Sequence, residues 1–126
     1  MSRVKNKNTR QELIVRSLLH RLGYRFRLHR KDLPGTPDIV LPKYKTAIFV
    51  HGCFWHGHSC SRGKLPKNNR EYWKAKIEKN RVRDEEACKD LREAGYYPIV
   101  IWGCEISSRE KIVILGHRLE RELKSG

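Results

Sequence analysis

The chain has 126 residues, of which 28 are Lys or Arg and 14 are Asp or Glu, so its formal net charge is +14. That length predicts one domain, 1–126, opening with a basic segment, 1–8, and burying roughly two-thirds of the unfolded chain's surface. Mean hydropathy is −0.74, the uncharged apolar run 46–55 is too short for a bilayer, and the start MSRVKNKNTR lacks a secretory apolar stretch, which argues against a membrane-spanning or secreted protein and sets the expectation of a cytoplasmic one.

In chain order, Thr9-Arg10-Gln11-Glu12 reads as a capping box opening a helix, with Ile14, Leu18 and Leu22 as one apolar stripe and Gly23 placed to end it. Residues 24–28 alternate large apolar and Arg side chains, as an edge or half-buried strand does. Leu33-Pro34-Gly35-Thr36-Pro37 is a turn, and 39–41 and 46–50 are two strands around the connector 42–45. Pairing symmetric about Tyr44 and Lys45 would set Val40 opposite Phe49 and Asp38 opposite His51, with facing Cβ atoms about 5 Å apart.

A basic loop, 61–69, leads to a long amphipathic helix over 70–94 that carries Trp73, Ile77, Asp84, Cys88 and Leu91 near one face and closes at Gly95. Residues 97–102 form a buried strand. Ser107 or Ser108 then caps a last helix with Ile112, Leu115, Leu119 and Leu123 at helical spacing. The order αβββαβα predicts a mixed α/β sheet, because the helix between the last two strands permits a parallel crossover.

Charge is concentrated at the start: residues 1–31 hold ten Lys or Arg against the single acid Glu12. A basic face of that density attracts polyphosphate, most commonly nucleic acid, although a merely soluble or ribosome-like basic protein has the same balance.

Chemistry is concentrated at 51–60, which place three His and two Cys in ten residues, with Cys104 beyond the last strand. Cys53, His58, Cys60 and Cys104 make a Cys₃His set for one structural zinc ion, and His56 is the alternative to His58. A Cys53–Cys60 disulfide competes with this reading, but a reducing compartment disfavours it. Cys88 falls on the apolar helix face and reads as core. Phe54 and Trp55, adjacent and flanked by polar residues and glycines, either wedge between base pairs or pack around the zinc loop.

These strings resemble the very-short-patch repair (Vsr) DNA mismatch endonucleases. The resemblance runs from Lys7-Asn8-Thr9-Arg10 and Glu12 to the last helix. It is densest at 33–38 (LPGTPD), 49–56 (FVHGCFWH), 71–80 (EYW, with Lys76, Ile77 and Asn80), and Trp102 with Cys104. It implies a restriction-endonuclease-like fold of the PD-(D/E)xK superfamily. Pro37-Asp38 is intact, but the acid-x-Lys element reads Phe49-Val50-His51.

The implied activity is Mg²⁺-dependent nicking of one strand on the 5′ side of the mispaired T in a T:G mismatch left by 5-methylcytosine deamination. By the same resemblance, Asp38 and the Val50 main-chain carbonyl hold Mg²⁺, with two ions bridged through the scissile phosphate. His56 activates water, His51 serves the phosphate as hydrogen-bond donor or acid, and Glu12 orders metal-bound water or His56. Without the resemblance Glu12 reads as a capping residue, and His20, His29 and His117 read as surface residues.

Phe54, Trp55 and Trp73 match aromatics that intercalate beside the mismatch, where unstacking costs least. The implied partners are T:G-mismatched duplex DNA and, functionally, a cytosine-5 methyltransferase and downstream repair proteins. Single-strand nicking suits a monomer.

Two departures are visible. Fewer residues precede Lys7 than in familiar members, so Arg3, Lys5 and Lys7 are expected to carry much of the DNA grip. Gly57 and Ser59 thin the His-rich run, and Val50 stands where the best-known form has Thr. A Vsr-like nuclease with relaxed mismatch or sequence specificity is the nearest alternative, and a non-catalytic zinc-containing DNA-binding module is the alternative of a different class.

Overall fold

A computed structural model describes residues 9–53, 56, 58 and 64–125. The elements are α1 (Arg10–Arg21), β1 (Arg27–Leu28), β2 (Ile39–Leu41), β3 (Thr46–His51), α2 (Arg70–Glu93), β4 (Tyr97–Trp102) and α3 (Arg109–Ser125), the expected order αβββαβα. Short 3₁₀ turns, Pro42–Tyr44 and Gly103–Ile106, follow β2 and β4.

Local chemistry accounts for the helix ends. Thr9 is extended and its hydroxyl accepts the Glu12 N–H at 3.1 Å, satisfying one of the donors a helix start leaves open. Gly23 takes a left-handed φ of +87° after α1, and Gly95 does the same after α2. Of the two candidate caps for α3, Ser108 accepts the Lys111 N–H at 3.3 Å.

The four strands lie in the order β1-β2-β3-β4. β2 is antiparallel to both β1 and β3, whereas β3 and β4 are parallel over six residue pairs, with α2 as the crossover. β1 is shorter than the alternation at 24–28 suggests. It is an edge strand with both side chains exposed, and the chain leaves it at His29, whose φ is +47°.

The β2–β3 register differs by two residues from the symmetric pairing expected. Ile39 faces Ile48, Val40 faces Ala47 and Leu41 faces Thr46, which brings Asp38 to the level of Phe49 and not of His51. The connector causes the shift: the 3₁₀ turn ends at Lys45 in a left-handed φ of +47°, its N–H returning to the Pro42 carbonyl at 3.2 Å. The residues flanking that tight turn, Leu41 and Thr46, must therefore pair. A two-residue shift leaves each side chain on its intended face.

Strand alternation divides the core between the two faces of the sheet. Ile39, Leu41, Ile48, Ile99 and Ile101 pack with Val15 and Leu19 of α1 and Leu115 and Leu119 of α3. On the other face Val40, Ala47 and Phe49 pack with Ala87 and Leu91 of α2, and Cys88 is half-buried against that cluster as a core residue. Continuing the alternation beyond Phe49 turns His51 toward α2. Among the described residues no helix is long and apolar enough to cross a membrane.

Candidate active site and metal centre

A cleft of about 450 Å³ opens where the start of α1, the residue before β2, the end of β3 and the middle of α2 meet; Glu12, Asp38, His51, His56, Asn80 and Asp84 are among its walls. A larger groove of about 880 Å³ runs between α1 and α3, walled mainly by Leu13, Ile14, Leu18, Ile112 and Val113. Its acids and imidazoles among the described residues are Glu120 and His117 alone, so the smaller cleft is the candidate site.

Three side chains converge on the α2 side of this cleft. His56 Nδ1 lies 2.6 Å from Asp84 Oδ2, and His51 Nε2 lies 3.9 Å from Asp84 Oδ1. The two imidazoles stack in parallel, 3.8 Å between centroids. Burial, helped by the neighbouring His56 and opposed by Asp84, pushes His51 down to about 4, so its ring is neutral at neutral pH. His51 Nδ1 is buried with no hydrogen-bond partner among the described residues.

On the α1 side, Asp38 Oδ2 accepts the Val50 N–H at 2.7 Å. An extended residue sends its N–H and C=O toward the same neighbour, so the Val50 carbonyl also turns to the Asp38 side. Glu12 is 2% exposed, and its carboxylate bonds Arg16 and accepts from His29 Nε2 at 3.0 Å. Burial pushes Asp38 up to about 6; the Val50 N–H opposes the rise and the charge of Glu12 adds to it. Glu12, His29 and Asp38 each bring a ligand atom within 4.8 Å of the others.

Cys53, His58 and Cys104 form a separate cluster at the end of the sheet, their ligand atoms also within 4.8 Å of one another. Cys104 Sγ and His58 Nδ1 are 3.6 Å apart. A tetrahedral zinc with bonds of about 2.3 Å to sulfur and about 2.05 Å to nitrogen spans an S···N edge of about 3.6 Å, so this pair fits a structural metal site. Cys53, Cys88 and Cys104 are free thiols, and the His58 ring lies stacked on Trp102 at 4.2 Å.

A family model described as DNA mismatch endonuclease Vsr matches residues 1–62. The Type II nicking enzyme V.XorIIP of Xanthomonas oryzae pv. oryzae is 59% identical over 107 residues, 85% of this chain and 79% of that protein. The chain belongs to the Vsr family of DNA mismatch endonucleases. The Type II nicking enzyme V.NmeAIP of Neisseria meningitidis is 44% identical over 124 residues, covering 98% of this chain and 89% of its own. The DNA mismatch endonuclease Vsr of Escherichia coli K12 is 39% identical over 122 residues, 95% of this chain and 78% of that one.

Of the residues the Vsr resemblance singles out, Glu12, Asp38, Val50, His51 and His56 line the one cleft. His58 joins Cys53 and Cys104, while His56 turns to Asp84, which separates the two histidines that sequence left as alternatives. The expected meeting of Asp38 with His51 is replaced by two neighbouring groups, Asp38 with Val50 and Glu12, and His51 with His56 and Asp84. Trp73 is half-buried on the first turn of α2, its ring 5.2 Å from that of Tyr72. Cys60, Phe54, Trp55, Arg3, Lys5 and Lys7 lie outside the described residues.

Two site residues went unassigned in the sequence. Asp84 appears there only as a member of the apolar face of α2; an acid on a row with Ile77, Cys88 and Leu91 was the available signal. His29, read as a surface residue, is half-buried and bonded to Glu12, because the two-residue β1 ends just before it and turns it inward. No pattern around His29 announces this.

Proposed function

We propose that this Vsr family member is a Mg²⁺-dependent endonuclease that nicks one strand of duplex DNA 5′ of the mispaired T in a T:G mismatch, initiating repair after 5-methylcytosine deamination. The observation that carries the reading is the convergence in one cleft of Asp38, anchored on Val50, with the His56–Asp84 pair. Relatives named as Type II nicking enzymes support a nick as the product. The protein acts as a single-domain monomer in the cytoplasm, in functional partnership with a cytosine-5 methyltransferase and the repair proteins that follow.

The donor set suits a hard divalent cation, since Asp38 and the Val50 carbonyl offer oxygen ligands and the charge of Glu12, although paired with Arg16, still adds to the rise at Asp38. Bound there, Mg²⁺ supplies Lewis acidity toward the scissile phosphate. Asp84 holds His56 through Nδ1 and leaves Nε2 to take a proton from the attacking water. Neutral His51 offers the phosphate a hydrogen bond. Phe54, Trp55 and Trp73 form the wedge that unstacks the mismatch, and Arg3, Lys5 and Lys7 grip the backbone. Cys53, His58 and Cys104, with Cys60, would hold a zinc ion that would tie the segment bearing His56 to the end of β4.

Nicking of matched, T:G and other mismatched duplexes with randomised flanking bases tests the assignment. Strong preference for T:G is expected, and equal cutting of matched DNA would overturn the repair role. Asp38→Ala separates an enzyme from a silent binding module: nicking disappears while duplex binding persists.

A further inference from the structure

His29 belongs to no part of the mechanism above, yet it is tied to two residues that line the cleft. Its ring donates to Glu12 on α1 at 3.0 Å, and its backbone N–H donates to the Asp38 carbonyl at 3.1 Å. Its backbone is held at φ +47°, a region uncommon for non-glycine residues although His enters it more readily than most. An imidazole nitrogen and two carboxylates, contributed by α1, the segment after β1 and the residue before β2, therefore sit with ligand atoms within 4.8 Å.

We infer that His29 is a nitrogen ligand of the divalent cation held at Asp38, with Glu12 as the second carboxylate, so that the site takes first-row transition ions such as Mn²⁺ more tightly than Mg²⁺. The inference rests on the proposed cation site at Asp38 and extends it to a particular donor set.

The chemistry is that of cation exchange for a hydrogen bond. In the metal-free protein His29 Nε2 hydrogen-bonds Glu12; with a cation bound, the ion takes the place of the proton on Nε2, whose lone pair it accepts. Mg²⁺ strongly prefers oxygen and keeps its waters, whereas Mn²⁺ accepts imidazole together with carboxylate. Asp38 and the almost fully buried Glu12 face each other, and Arg16 offsets only one of the two charges, which leaves negative charge for a dication to neutralise.

Pulsed electron paramagnetic resonance of substoichiometric Mn²⁺, added to the zinc-loaded full chain, tests this directly. Nitrogen-14 modulation from a directly bound imidazole is expected in the wild type and is lost in His29→Asn. Asn tolerates the left-handed backbone better than most residues, so an unchanged unfolding midpoint will show that the fold survives. Mn²⁺ affinity should fall at least about tenfold in that variant, with a smaller change for Mg²⁺.

The neighbouring His51–His56–Asp84 cluster is controlled by Asp84→Asn, in which the modulation should persist. Absence of modulation in the wild type, its persistence in His29→Asn, or its loss in Asp84→Asn would each overturn the inference. Mg²⁺-supported nicking of T:G duplex by the wild type is scored separately. Nicking without nitrogen modulation sinks the His29 assignment alone, and modulation without nicking sinks the endonuclease reading alone.

Discussion

Replacing Asp38 by Asn should make the magnesium-free protein more stable while abolishing nicking. The carboxyl titrates near 6 in the fold against 3.8 for the ordinary group, chiefly because it is buried, with Glu12 adding to the rise. The folded state thus holds that proton more tightly than the unfolded chain does. Its contribution is fully present below pH 3.8 and is lost as the pH climbs through about 6. Integrated over that interval, the wild type gives up about 1.5 kcal/mol by pH 5 and about 3 kcal/mol by pH 8.

Asn cannot ionise, and its amide oxygen can still accept the Val50 N–H. The variant should therefore exceed the wild type by those amounts, the gap widening with pH. Urea unfolding of zinc-loaded protein at pH 5 and pH 8, without magnesium and without chelator, measures the difference. Adding Mg²⁺ at ten times its Kd should return about 1.4 kcal/mol to the wild type and nothing to the variant. An advantage that does not change with pH, or a variant less stable at pH 8, would refute the reasoning.

Three further outcomes are expected. Asp84→Asn removes the carboxylate that orients His56 and should slow nicking by about 10²-fold or more without weakening duplex binding; a near wild-type rate would exclude the pair from catalysis. Cys104→Ala should cut bound zinc, measured by atomic emission, from about one per chain to near none and lower the unfolding midpoint; full zinc retention would exclude Cys104 as a ligand. Gly35→Ala should cost about 2–4 kcal/mol in urea unfolding, because the residue sits at φ +75° and its Cβ would lie 2.6 Å from the Ala87 Cβ and 3.1 Å from the Phe49 ring; an unchanged midpoint would show that α2 can withdraw from β3 at little cost.

What could be read without coordinates is what short-range chemistry controls. The Thr9 cap, the glycines at 23 and 95, and the apolar stripes of α1 and α3 place helix ends and buried faces because each depends on residues only a few positions apart. The ten residues at 51–60 were legible for the same reason: His and Cys crowded into one loop have few bland explanations. Core faces were also legible, since strand alternation survives the two-residue shift in register.

The register itself was not legible, because it depends on whether Lys45 accepts a left-handed backbone and so on how tightly the connector closes. The partners of the imidazoles were hidden too. Asp84 reaches His56 across 28 positions only because α2 crosses over the sheet between two parallel strands. His29 reaches Glu12 only because the edge strand stops after two residues.

The sequence by itself therefore determined the family, the element order, the apolar core faces of strands and helices, and five of the residues that meet in the cleft, Glu12, Asp38, Val50, His51 and His56. Tertiary structure alone decided which acid pairs with which histidine, which histidine joins the cysteines, and that His29 meets Glu12 and Asp38. Those choices are made by packing between segments distant in the chain, and no local pattern of residues encodes the distance at which two such segments come to rest.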